Sequence, residues 1–102
     1  MISSCDWGLM LNDASNSQVM HNEIWDMLHN GLSLWSGSDN NSVKMNEVAD
    51  AGAFGIAVFG EGNIMRKNNV SGSGWLDLYD SSYPPGPLAN EWVKNEYDTR
   101  NW

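Results

Sequence analysis

The longest run of apolar residues in this chain is Ile56 to Phe59, and the other apolar pieces are shorter, broken by Asn, Asp, Ser, Gly or charge. Such punctuation limits the fold to short elements joined by many turns. It leaves no spanning segment, which would need about 20 consecutive apolar residues. The apolar fraction of 41% and aromatic fraction of 11% nevertheless supply a core. Disordered acidic chains are usually aromatic-poor. A length of 102 residues suits one domain, so residues 1–102 are expected to form a single compact acidic domain.

Cys5 is the only cysteine. It excludes an intrachain disulfide and any zinc site built from several cysteines. Its expected role is a small buried hydrophobe at the start of a strand. Residues Met1 to Trp7 show neither a positive n-region nor an apolar h-region. A signal peptide is therefore not expected, and a cytoplasmic location is the default.

Hydrophobic periodicity predicts both helices and strands. Cys5 to Leu11 alternates, with Trp7, Leu9 and Leu11 on one side, as in a half-buried strand. Gln18 to Asn30 carries Met20, Ile24, Met27 and Leu28 on one helical stripe, with Gly31 at a natural C′ position. Leu32, Leu34 and Trp35 form an extended arm. Ser42 caps a short helix from Val43 to Ala51, ended by Gly52. Ala53 to Phe59 reads as a buried strand that Gly60-Glu61-Gly62 turns back onto Asn63 to Lys67 as a hairpin. Trp75 to Tyr79 alternates again, with Leu76 and Leu78 toward the core. Tyr83-Pro84-Pro85-Gly86-Pro87 forces a corner, and Leu88 to Tyr97 reads as a terminal helix. No internal repeat or heptad stands out. The expected fold is α+β: a largely antiparallel sheet of three to four strands with two to three helices.

No motif carries chemistry. His21 and His29 lie eight residues apart. On a helix they would be rotated about 80° from each other, whereas zinc ligands on one helix fall at i,i+4. Neither glycine-rich stretch has the strand–loop–helix order or the Lys and Ser/Thr of a phosphate loop. Asp39-Asn40-Asn41 lacks the terminal Glu of a calcium loop. No catalytic residue, cofactor or metal site is expected.

Composition points to recognition. Thirteen Asp and Glu face five Lys and Arg, a formal charge of −8, and six Trp accompany them. Five cations are too few for a nucleic-acid footprint, so no direct nucleic-acid binding is expected. A summed negative field steers cationic partners. Asp77, Asp80, Glu91, Glu96 and Asp98 are interleaved with Tyr79 and Trp92. Carboxylates and ring faces of this kind suit Arg and Lys side chains. Those seven residues are the expected partner-binding set. The expected function is a non-catalytic inhibitor or neutraliser of a protein with a basic surface, such as a nucleic-acid-binding protein. A phage or mobile-element anti-defence protein fits that size and charge. Two alternatives compete: a small structural or assembly subunit, and a small enzyme or ligand-binding domain using Cys5 or His21.

Overall fold

In a computed structural model, which describes residues 1–81 and 90–101, the chain winds as a parallel β-solenoid of about four turns. Each turn contributes one short strand to each of three faces. The first face stacks β1 (Ile2–Ser3), β4 (Glu23–Trp25), β7 (Glu47–Ala49) and β10 (Asn69–Ser71). The second stacks β2 (Leu9–Leu11), β5 (Leu32–Leu34), β8 (Phe54–Val58) and β11 (Leu76–Asp80). The third stacks β3 (Gln18–Met20), β6 (Ser42–Lys44), β9 (Ile64–Arg66) and β12 (Glu91–Val93). The pairings between these strands are parallel. The molecule measures 31 × 24 × 21 Å.

The core lies between the faces and is built from in-register columns. Ile2, Ile24, Val48 and Val70 stack on the first face. Leu9, Leu32, Ile56 and Leu78 stack on the second, and Val19, Val43, Met65 and Trp92 on the third. One turn cannot bury its own apolar residues. Stacking about 4.8 Å apart lets each column cover its neighbour.

Three-residue strands need sharp corners, and the corners are where polar residues concentrate. His21, Met45, Lys67 and Lys94 all adopt a left-handed conformation between the third and first faces. Beside them runs an asparagine ladder, Asn22–Asn46–Asn68–Asn95, buried at its two central members. Asn46 Oδ1 accepts from Asn22 N–H at 2.9 Å, and Asn68 Oδ1 accepts from Asn46 N–H at 3.0 Å. The step to Asn95 Oδ1 repeats this geometry. A second ladder, Ser17–Asn41–Asn63–Asn90, lines the corner between the second and third faces. These amides satisfy corner backbone that strand pairing leaves over. Gly55 marks a close approach between faces, because a Cβ there would sit 2.2 Å from Val70 Cγ1.

The α+β expectation is overturned: among the described residues there is no helix, and no antiparallel pairing joins the strands. Gln18 to Asn30 is β3, a corner, β4 and a second corner. The left-handed residues His21 and Asp26 break the helical path. Val19, Ile24 and Met27 point inward, while Leu28 is 66% exposed. Residues 43–51 contain β6 and β7, not a helix. Ala53–Phe59 and Asn63–Lys67 do contain strands, yet β8 and β9 lie on different faces and form no hairpin. The terminal helix gives way to β12, paired with β9. Leu88 and Ala89, the Tyr83–Pro87 corner and Trp102 lie outside the described residues. Leu32 and Leu34 are fully buried in β5, so the expected arm is a central strand. Cys5 is exposed, with Sγ donating to Ser3 O at 3.3 Å, and is not a buried hydrophobe.

Candidate binding surface

The outward column of the second face runs Met10, Ser33, Ala57, Tyr79. Its central members are small, and both are completely buried. Ser33 Oγ accepts from Asn30 Nδ2–H at 3.1 Å, and rings flank the column on both sides. Trp35 and Phe59 stack one turn apart, with centroids 4.9 Å apart and planes 9° from parallel. Phe54 stacks on Tyr79 at 4.5 Å, and Tyr79 also meets Phe59 at 5.5 Å. Trp7 extends the layer past Trp35 at 6.0 Å and packs on His29 at 4.7 Å. Trp75 meets Phe54 edge-on at the other end. The layer therefore runs unbroken from His29 and Trp7 to Trp75. Trp75 is 68% exposed, Trp7 38% and neighbouring Met10 51%. Such an aromatic and thioether surface on a solvent-facing sheet has the composition of an interface centre.

Charge is segregated by corner. The corner leading into the second face carries Asp6, Asp26 and Asp50, and the corner leaving it carries Asp13, Asp39 and Glu61. The aromatic face thus lies between two acidic edges, and among the described residues no Lys or Arg lies on those corners; Arg100, which bridges Leu78, sits at the last-turn end of the face. The third corner, opposite the aromatic face, carries His21, Met45, Lys67 and Lys94, with Lys44 and Arg66 one position before it.

The seven residues expected from sequence do not form one surface. Asp77 is 2% exposed and accepts from Asp98 N–H at 2.8 Å and Ser73 N–H at 3.2 Å. Asp80 is fully buried and accepts from Trp92 Nε1–H at 2.8 Å and from Asn90 Nδ2–H at 3.2 Å. Both carboxylates hold the last turn together. Trp92 points inward in the column of Met65. Glu91 is exposed on the third face, Glu96 bridges Asn69 on the first, and Asp98 is exposed beyond it. Only Tyr79 joins the aromatic layer. His21 and His29 stand on different corners, and Cys5 lies on the corner of His29. Among the described residues no group of three His, Cys, Asp or Glu is placed to hold a metal ion.

Sequence reasoning missed Trp7, Trp35, Phe54, Phe59 and Trp75 as one surface because their proximity is across turns. A signal was present. Asn41 and Asn46, Asn63 and Asn68, and Asn90 and Asn95 are each five residues apart. Each pair has apolar residues two positions after each asparagine: Val43 and Val48, Met65 and Val70, Trp92 and Tyr97. Ladder partners stand 22, 24 or 27 residues apart. That drifting period hid the repeat from a fixed-period reading.

Comparison with known proteins agrees with the architecture. No curated protein and no solved structure matches the chain. A family model described as the right handed beta helix region matches residues 1–85, most of the 102. With three parallel sheets wound in about four turns, the chain belongs to the right-handed β-helix family.

Proposed function

We propose that this protein is a non-catalytic recognition module that binds a protein partner through the aromatic face of its second sheet. The observation that carries this reading is the continuous ring layer ending in exposed Trp75 and Trp7, set between corners bearing only acidic charge. Aromatic anchors bury large area at small conformational cost, and hot spots cluster on such residues. The acidic edges favour a partner whose contact surface presents Arg and Lys around an apolar centre. Occupying that surface would block whatever the partner's cations bind. The proposal keeps the electrostatic logic of the sequence but moves the contact to residues 6–79.

Affinity capture from native lysate compares the wild-type chain with Trp75→Ala and with the pair Asp39→Lys and Glu61→Lys. All three proteins are first checked for an unchanged unfolding midpoint. The expected result is a basic protein retained by the wild type, lost from Trp75→Ala, and weakened in the charge-reversed variant as salt rises. Identical captured proteins for all three would reject the aromatic face as the binding surface.

A further inference from the structure

We infer that the third corner holds a binding site for a phosphate monoester, separate from the aromatic face. Four of the chain's five cations, Lys44, Arg66, Lys67 and Lys94, sit at or next to this one corner. Lys44 and Arg66 are register partners on neighbouring strands, so their side chains leave the sheet about 4.8 Å apart. Like charges directly opposite one another on a sheet are destabilising. Among the described residues no carboxylate pairs with Lys44, Arg66, Lys67 or Lys94. In a chain with 13 acidic residues, random placement would disperse these cations among carboxylates. Glu23, Glu47 and Glu96 project from the first face beyond the asparagine ladder, and none lines the groove between the cations.

That groove has a volume of about 260 Å³ and is lined by Met20, Lys44, Met45, Arg66 and Lys67. Three cations on one side of a small concavity match a tetrahedral dianion, with the Arg66 guanidinium able to grip two oxygens at once. The two thioethers supply an apolar floor. Met45 is 41% exposed and held in the left-handed conformation at φ 53°. An unbranched side chain gains nothing from that backbone, but there it lies beside the cations. A bare phosphate would leave the methionines in water. An ester places its organic group against them, and the polarizable thioether adapts to that group's shape. The groove is too small for a large ligand, since drug-sized molecules take roughly 300–1,000 Å³.

The test is an NMR titration of the ¹⁵N-labelled full chain at constant ionic strength, with phenyl phosphate and inorganic phosphate as probes. Saturable shifts at the amides of Lys44, Met45, Arg66 and Lys67 are expected. Phenyl phosphate should bind about tenfold more tightly than inorganic phosphate, through burial of the ring. Arg66→Ala and Lys67→Ala, both exposed positions, should each weaken binding about tenfold, the loss of one charge-assisted contact. Trp75→Ala should leave the affinity unchanged, which separates this site from the aromatic face. Shifts that stay linear with concentration, or affinities unmoved by both substitutions, would overturn the site. Equal affinity for the two probes would overturn the monoester assignment.

Discussion

Asn46 shows how a single side chain holds a solenoid corner. Its Oδ1 accepts from the backbone and side-chain amides of Asn22, and its Nδ2 donates to Val19 O at 2.9 Å and Asn68 Oδ1 at 3.0 Å. The residue is 1% exposed, so water cannot replace those bonds. Asn46→Ala leaves buried groups of two neighbouring turns unpaired and should cost about 3 kcal/mol. Asn95 ends the same ladder and is only half-buried. Its loss would open its partners, Asn68 and Met65 O, to the water that already reaches Asn95, so Asn95→Ala should cost about 1 kcal/mol. Urea denaturation of the two variants measures the difference. Equal losses would show that the ladder does not act through burial.

At the scale of elements, β4 separates strand from helix energetically. A helix over residues 18–30 would bury Ile24 and Leu28 together on one stripe. In the solenoid Ile24 is fully buried between Ile2 and Val48, whereas Leu28 sits 66% exposed on a corner. Ile24→Ala should therefore cost about 2–5 kcal/mol, and Leu28→Ala less than about 0.5 kcal/mol. Equilibrium unfolding of the pair decides this. Comparable losses at both positions would contradict the strand assignment. The short strands also explain the misleading periodicity: a three-residue strand, a left-handed corner and another three-residue strand return an apolar residue to the core after five positions. Val19 and Ile24 follow that spacing, as do Val43 and Val48. Five falls between helical and strand periods, and interspersed Met20, Met27 and Leu28 completed an apparent helical stripe.

For the molecule as a whole, the three corners behave as separate electrostatic edges. Two are acidic and one is basic, so the formal charge of −8 understates how unevenly charge is arranged. Asp26 and Asp50 occupy the same corner on adjacent turns, and stacking repeats such like-charge proximity along the axis. Added salt should screen this self-repulsion. The melting temperature should therefore rise between low and physiological ionic strength, where the Debye length shortens to about 8 Å. Thermal melts at increasing sodium chloride test it. A falling melting temperature would mean that attraction between oppositely charged corners outweighs repulsion within them.

Several local features were legible in the chain itself. Short apolar pieces and abundant turn residues dictated short elements, and Leu9 with Leu11, Ala53 to Phe59 and Trp75 to Tyr79 marked real strands. The identity of Leu78 as a core residue also followed from alternation. Pairing did not follow. Whether β8 turns back onto β9 or stacks on β5 depends on contacts between residues more than 20 positions apart, such as Ile56 with Leu32. Local propensity cannot weigh those contacts, because their stabilisation appears only when a whole turn has a neighbour to cover it. The same reason governs the surfaces. Sequence fixed the number of acids, cations and rings. Stacking at the strand spacing decided that rings from the two corners flanking the second face meet those of its strands, that Asp77 and Asp80 turn inward, and that four cations meet at one corner.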